Sequence, residues 1–378
     1  MIEKKSSNRI LYGWMVIVIV GLLIGIWGAV YTLIRGLGPW GVTDQIPWGI
    51  VTAAYVFFVA ASAGCITVSL GHALGIKGFE LIIKRAVFLA IITLFAGGIL
   101  IVLHLGSPIQ AYYLLISPNV GSPLGWMVIF YTLYLVLLVI DFSLLHKNDV
   151  KKARVIGIIA PLAAIGVHST LGAVFGFAVA RPFYGGAFAP VYFVLIAIII
   201  GTALVLFVTT LQFSVSKSEM STEFRRVTAT LAKFLALALG VAVLFTFWRD
   251  VTGLHSTVDS TAYQHSLSLW WYWAIVILLG LIIPLFLFLN RRTRTPNGIL
   301  VGSFLVLIGM FAARMDYTIG GLIEPMLEDL KHLEHGSPAQ YSASFAEIAV
   351  VMLAVSLTAL LYMWGTKKLA LKEVPHHS

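Results

Sequence analysis

Ten long apolar stretches dominate the chain, and short polar segments separate them. Each is near or above the ~20 residues that a helix needs to cross a lipid bilayer. They cover residues 11–34, 48–72, 82–104, 125–146, 155–181, 187–213, 227–248, 268–289, 297–316 and 343–365. Because a helix satisfies its own backbone hydrogen bonds in lipid, the pattern predicts an all-α, polytopic integral membrane protein with about ten transmembrane helices.

The whole chain, residues 1–378, reads as one transmembrane domain. Its composition is 60% hydrophobic and only 11% charged, which leaves almost no sequence for a soluble domain. The natural division is two four-helix bundles, with helices 2 to 5 at 48–181 and helices 6 to 9 at 187–316. Helices 1 and 10 then flank the two bundles.

Lysine and arginine predict the orientation, because positive charge near helix ends is retained on the cytoplasmic side. If ten helices run up and down, all but five of the 25 basic residues fall on one side; the five are Arg35, Arg181, Arg249, Arg314 and Lys331. We therefore expect a multi-pass protein of the cell inner (cytoplasmic) membrane with both termini cytoplasmic. Topology alone explains the net charge of +9, so no nucleic-acid partner is expected. The first stretch is too long for a signal-peptide core and is interpreted as a retained helix.

The longer connections lie on the other, outer side, at residues 35–47, 105–124, 249–267 and 317–342. The last of these carries a cluster of charge, Glu324, Glu328, Asp329, Lys331 and Glu334. It is either a solvated loop or a docking surface for an extracytoplasmic partner, since loops often carry binding function.

Ionisable residues inside helices are the strongest functional candidates, because each is costly in hydrocarbon unless it faces a cavity or a partner. They are Asp141 in the inner third of helix 4, His104 and Arg181 at the outer ends of helices 3 and 5, Arg314 and Asp316 at the outer end of helix 9, Glu347 at the start of helix 10, and His168. At ~1.5 Å per residue, His168 lies about 20 Å from the cytoplasmic side, near or beyond the midplane.

Two roles stay open for each of these groups. His168 and Asp141 are candidates to carry protons inward, but His168 is otherwise a structural histidine and Asp141 an acid that snorkels into cytoplasmic water. Arg314 and Asp316 either contact a ligand or form an ion pair with each other that anchors the helix end.

Metal cofactors are not expected in this chain. Cys65 is the single cysteine, so the thiolates of an iron–sulfur cluster would have to come from another subunit. A haem held by two histidines needs both at the same depth, and His168 is the one histidine deep in the bilayer. Neither a clustered metal site, a P-loop nor a dinucleotide fingerprint appears. A helix bundle with polar groups near its outer surface suits a lipophilic quinone, whose protons need hydrogen-bonding partners.

Three stretches resemble the NrfD-like family of membrane subunits. They are IPWGIVTAAYVFFVAASAGC at 46–65, HLGSPIQAYYLLISPNVGSPLGW at 104–126 and VHSTLGAVFGFAVARPFYGGAFAPVYF at 167–193. The family includes the polysulfide-reductase membrane anchor and the corresponding subunits of alternative complex III. Ten helices and the ARPF turn look most similar to the branch from transmembrane redox complexes of sulfate reducers and sulfur metabolism.

The resemblance implies a subunit without haem or iron–sulfur cluster, with two four-helix bundles and a quinone site near the outer face. It also implies a ferredoxin-like iron–sulfur subunit on that face as electron partner; a multihaem cytochrome c and other subunits are further candidate partners. Where the family has an acid before the Leu-Gly pair at 105–106, this chain has His104. The family's buried histidine matches His168, but the acid that follows it is Val174 here, which makes Asp141 the next proton-carrying candidate.

The resulting hypothesis is oxidation of menaquinol or ubiquinol, or the reverse, with electrons exchanged with the partner subunit. His168, His104 and Tyr112 or Tyr113 would donate to or accept from the ring oxygens, and Arg314 would contact the quinone. Arg181 and Asp316 would shape the outer rim. Trp48 and Trp126 are assigned to the interfacial aromatic belt. The alternatives are a secondary transporter or proton-conducting subunit, for which Pro161 and Pro284 are the only deep helix breakers, and a purely structural anchor.

Overall fold

A computed structural model of the chain describes residues 2–178, 181–216, 219–256, 260–323, 339–369 and 371. It has ten helices long and apolar enough to cross a membrane, so the predicted all-α, polytopic fold is confirmed. They are α1 (Ile2–Arg35), α2 (Ile50–Ser62 and Gly64–Ala73), α3 (Ile83–His104), α4 (Pro123–His146), α5 (Val150–Gly176), α6 (Phe188–Ser216), α7 (Thr222–Leu254), α8 (Tyr272–Ile282 and Ile283–Leu289), α9 (Pro296–Gly320) and α10 (Phe345–Lys368). Short helical turns occupy the connections at Phe79–Leu81, Pro108–Tyr112, Tyr113–Ile116, Pro182–Tyr184 and Ser260–Ser268. We call the side where α1 ends the outer side, following the charge distribution.

Two helix ends differ from the prediction in ways that matter for the site. Helix α5 ends at Gly176, so Arg181 lies in the connection to α6 and not at a helix end. The chain turns there because Gly185 and Gly186 have φ of +73° and +48°, a backbone conformation that glycine adopts without strain. Helix α7 runs on to Leu254 and therefore includes Arg249, which the sequence had placed in a loop.

Two membrane helices are irregular, and proline does not cause it. Helix α2 is interrupted at Ala63, and the next residue, Gly64, crosses Gly201 of α6 so closely that a Cβ on Gly64 would lie 2.3 Å from the Gly201 carbonyl oxygen. The outer part of α8 is π-helical over Tyr272–Ile282. Pro161, by contrast, lies inside α5 without ending it. The expectation that prolines would mark any interruption was therefore wrong.

Helix α2 forms the centre of the molecule. Its most apolar stretch is 82% buried, against 28% in both α1 and α4, which therefore lie at the periphery. Each of α2 to α5 packs against its chain neighbour, α5 also contacts α2, and α6 to α9 pack in the same cyclic manner. Helix α1 packs along α10, which in turn packs on α3. These contacts favour the division into two four-helix bundles with two flanking helices, which stays a proposal.

Candidate functional site

His168 and Arg314 lie together in the interior, although one belongs to α5 and the other to α9. Each residue is only 1% exposed, and the Arg314 charge acts on the His168 imidazole. His168 Nε2 and all three Arg314 side-chain nitrogens are buried without a hydrogen-bond partner. A guanidinium is a donor only, so this arrangement offers donors to an acceptor oxygen that the protein does not itself supply.

Aromatic rings of α6 line the Arg314 side chain. Its guanidinium carbon lies 4.2 Å from the centroid of the Phe193 ring and 5.8 Å from that of Tyr192. Such contacts stabilise a desolvated cation by roughly 2 kcal/mol. That offsets only part of the cost of burying a charge without an acceptor, so the geometry favours a site that takes a bound group.

Asp316, two residues beyond Arg314, faces a different partner. Its Oδ2 lies 3.7 Å from Arg249 Nη2 on α7, so the predicted pair between Arg314 and Asp316 was wrong. Residues two apart on an α-helix point about 200° apart and cannot share a face.

Arg249 is the centre of a polar network that the sequence did not predict. Its Nε donates to Asp250 Oδ1 at 2.9 Å, and its Nη2 donates to the Tyr272 hydroxyl at 3.1 Å. The Tyr272 hydroxyl in turn donates to Asp250 Oδ2 at 2.5 Å. A small cavity borders this network, lined among others by Tyr192, Thr246, Met310 and Asp316. The adjacent Arg and Asp at the end of an apolar helix were the available signal, missed because the predicted helix ended too early.

A layer of aromatic side chains covers the outer side of the His168 and Arg314 pair. Phe175 packs edge-on against Trp48 and Tyr184, with ring centroids 5.1 and 5.2 Å apart, respectively. The Tyr317 hydroxyl donates to the Tyr184 carbonyl at 2.6 Å. Trp48 therefore packs in this layer as well as lying near the predicted aromatic belt.

Arg181 and Tyr184 fasten the connection between α5 and α6 to the end of α9. Arg181 Nη1 donates to the Gly321 carbonyl at 3.3 Å, and the Tyr184 hydroxyl donates to the Thr318 carbonyl at 2.9 Å. Burial raises the pKa of Tyr184, so this hydroxyl stays protonated and remains a donor.

His104 belongs to a second polar group, between the outer ends of α1, α3 and α10. Its half-buried ring lies against Trp40, with centroids 5.7 Å apart, and its Nδ1 is buried without a hydrogen-bond partner. The Trp40 indole N–H donates to Thr32 Oγ1 of α1 at 3.0 Å. Glu347 of α10 lies close enough for its charge to act on the His104 imidazole.

Glu347 is itself fully buried and fully bonded. Its Oε2 accepts from the backbone N–H groups of Gly41 at 2.7 Å and Ser344 at 2.9 Å, and its Oε1 accepts from the Tyr341 hydroxyl at 2.7 Å. Tyr341 also accepts from the Ile50 N–H at 2.8 Å. Burial, and then the bond to Glu347, raise the pKa of Tyr341, so it stays a donor. Tyr341 is a further member that sequence reasoning missed.

The remaining candidates lie apart from both groups. Tyr112 and Tyr113 are about half exposed and stack on each other with ring centroids 4.3 Å apart, and their segment packs on α3 and α4. Asp141 is 2% exposed, so its carboxylate does not reach the cytoplasmic water as the snorkelling interpretation required. No ion pair or hydrogen bond to Asp141 occurs among the described residues.

Metal ligation finds no support in the described part of the chain. Among those residues, no group of three or more His, Cys, Asp or Glu side chains could hold a metal ion. The expected absence of haem and iron–sulfur clusters stays a prediction. The glutamates around Lys331 lie outside the described residues, as does Ser378.

Fold and polar sites define a multi-pass helical membrane protein with buried titratable groups in its outer half. Residues 40–324 match the family described as polysulphide reductase, NrfD, and the chain belongs to that family. It is a membrane-embedded, quinone-interacting subunit of a redox complex, and the predicted family and function are thereby confirmed.

Three relatives match nearly end to end. The chain is 26% identical to the Hdr-like menaquinol oxidoreductase integral membrane subunit of Archaeoglobus fulgidus, over 98% of this chain and 96% of that one. It is 24% identical to the menaquinone reductase integral membrane subunit of Nitratidesulfovibrio vulgaris, over 94% and 92%. It is 23% identical to a selenate reductase subunit of Mesobacillus selenatarsenatis, over 89% and 90%.

Proposed function

We propose that the chain exchanges electrons between menaquinone and an iron–sulfur subunit on the outer face, and that the quinone head group binds at His104. The names of two relatives, a menaquinol oxidoreductase subunit and a menaquinone reductase subunit, support menaquinone over ubiquinone. The relatives are membrane subunits of multisubunit oxidoreductases, which supports a separate electron-carrying partner.

Access from the lipid carries the choice of His104. A quinone ring has to enter from the bilayer, and both His168 and Arg314 are only 1% exposed beneath their aromatic layer. His104 is half-buried beside α1, a peripheral helix, and still has a buried Nδ1 without a partner. This combination of lipid access and an unused polar atom is what a quinone oxygen requires.

The chemistry at His104 is proton transfer coupled to electron loss. Quinol oxidation releases two protons and two electrons, and the electrons pass to the partner subunit. His104 accepts the proton of one quinol hydroxyl, and the nearby Glu347 carboxylate stabilises the resulting imidazolium. In the reverse direction, the imidazolium donates a proton to the quinone oxygen as electrons arrive.

The pair of His168 and Arg314 serves the same reaction from deeper in the protein. Its unpaired donors suit a water molecule or a transferred proton better than a quinone ring, since the cavity beside Arg249 is small. Asp141 then extends a proton route toward the cytoplasmic side.

A proton-conducting subunit without its own quinone site is the second candidate. The interruption of α2 at Ala63, near the middle of the helix, favours it, because broken helices with freed backbone groups occur at transporter sites. In sealed vesicles, this candidate requires proton movement without any quinone, whereas the first candidate requires quinol turnover.

Replacing His104 tests the proposed site. His104→Leu in the assembled complex is expected to lower oxidation of a menaquinol analogue by about 10²-fold or more, since general base catalysis contributes that much. The matched control is His255→Leu, which changes an exposed histidine of the same outer side and should leave turnover unchanged. An assembled His104→Leu complex with wild-type turnover would place the quinone elsewhere.

A further inference from the structure

The connection between α3 and α4 exposes an unusual amount of apolar surface. It consists of the helical turns Pro108–Tyr112 and Tyr113–Ile116 and the irregular stretch that follows. The side chains of Ile109, Leu115, Ile116 and Val120 are 87%, 61%, 69% and 61% exposed, respectively. Such a cluster would be unfavourable in water, because apolar surface is driven out of it.

This connection is also free of charge. From Leu105 to Ile140 the sequence contains no Asp, Glu, Lys, Arg or His. Each of the other long outer connections carries charged residues, for example Asp44 in 35–47. A surface without charge has nothing to pair with the polar rim of a soluble partner protein, but it matches the boundary region of a bilayer.

The structure holds the connection at the level of the membrane surface. Helix α3 has 22 residues, a length of about 33 Å, so it reaches the outer boundary of the hydrocarbon near His104. The Trp126 indole N–H in the first turn of α4 donates to the Val120 carbonyl at 2.8 Å. Gly125 lies so close to Asn119 that a Cβ would be 1.9 Å from its carbonyl oxygen. The connection is therefore folded back on the start of α4, one of the two least buried helices.

We propose that the segment 107–120 lies within the outer leaflet, with its apolar side chains in lipid and the stacked Tyr112 and Tyr113 at the head-group level. Its partner is thus the lipid surface itself. Tyrosine and tryptophan are enriched at this depth, where an apolar ring and a polar tip are both satisfied. As a consequence, the electron-carrying subunit docks on other outer connections.

Site-specific fluorescence tests this placement. Ile109→Cys and Leu115→Cys are introduced singly with Cys65→Ala, labelled with an environment-sensitive fluorophore, and studied in the native complex in vesicles of phosphatidylcholine and phosphatidylglycerol. Asp44→Cys, an exposed position in a charged outer connection, is the matched control. Labels at 109 and 115 should be quenched by lipids carrying a nitroxide near the head group and protected from aqueous iodide. The label at 44 should show the reverse.

Two results would overturn the proposal. Quenching by iodide but not by the nitroxide lipids at both apolar positions would place the segment in water. Protection from both quenchers in the complex would mean that a protein partner covers it. If either variant fails to assemble, Ile116→Cys and Val120→Cys provide the same readout on the same surface.

Discussion

Asp316 forms its ion pair with Arg249 of α7, at 3.7 Å, although Arg314 stands only two residues before it on α9. The two arginines accordingly have opposite environments. Arg249 is held by Asp250, Asp316 and Tyr272, whereas none of the Arg314 nitrogens has a hydrogen-bond partner. This difference predicts opposite effects of removing each charge.

Arg249→Leu should destabilise the protein strongly, because it leaves the Asp250 and Asp316 carboxylates buried without their cation. Breaking one side of a buried ion pair costs about 3–5 kcal/mol. Thermal unfolding of the detergent-solubilised complex should show a lower midpoint, while Arg35→Leu, at the exposed outer end of α1, should not change it. A wild-type midpoint for Arg249→Leu would show that the network contributes nothing.

Arg314→Met should leave the unfolding midpoint unchanged or raise it, since no partner is lost and a buried charge is replaced by an apolar side chain of similar length. Electron transfer from quinol should nevertheless fall, because the donors in the deep site are gone. The prediction fails if the midpoint drops as far as in Arg249→Leu, which would mean that Arg314 has a stabilising partner.

His168→Leu should abolish quinol-linked electron transfer in a complex that still assembles. The change removes the titratable group beside Arg314 but adds a side chain that apolar packing tolerates. Assembly is checked by co-purification, and turnover is measured with a quinol analogue. An assembled variant with the wild-type rate would exclude His168 from the reaction.

Asp141→Asn separates an inward proton route from exchange at the outer face. The buried carboxylate has no partner among the described residues, so the amide should fit without loss of assembly. We expect slower turnover with unchanged affinity for quinol, measured as kcat and KM. Unaltered kcat would restrict proton exchange to the outer face.

Tyr341→Phe should lower the free energy of unfolding by about 1–3 kcal/mol at neutral pH, because the buried Glu347 loses a donor. Folding raises the pKa of Tyr341, so its contribution is fully present below the unfolded value of about 10 and is lost as pH rises through the higher folded value. Unfolding midpoints of the two proteins should therefore converge only in alkaline solution. Convergence at neutral pH would contradict the bond seen here.

The orientation can be tested by cysteine labelling from each side of intact cells, with Cys65→Ala as background. Lys147→Cys, in the connection between α4 and α5, and a cysteine at position 378 should react only after the membrane is opened. Asp44→Cys should react from outside. External labelling at 147 would mean that the inside and outside are reversed.

The ten membrane spans were predictable because each depends on a local property, an apolar length sufficient for the bilayer. The breaks and ends within them were not. Helix α2 is interrupted at Ala63 next to the close crossing of Gly64 and Gly201, and neither proline nor a local pattern announces it. The end of α5 before Arg181 depends on a turn at two glycines of positive φ.

For the candidate site, the amino-acid order alone revealed which polar residues lie in the membrane, since an ionisable side chain in an apolar run is visible without a structure. His168, Arg314 and His104 stood out on that basis. Their partners became visible in the folded chain: Arg249 for Asp316, Trp40 and Glu347 for His104, and aromatic rings for Arg314. The physical reason is that depth follows from position along one helix, whereas a partner depends on how helices distant in sequence are rotated and packed against one another.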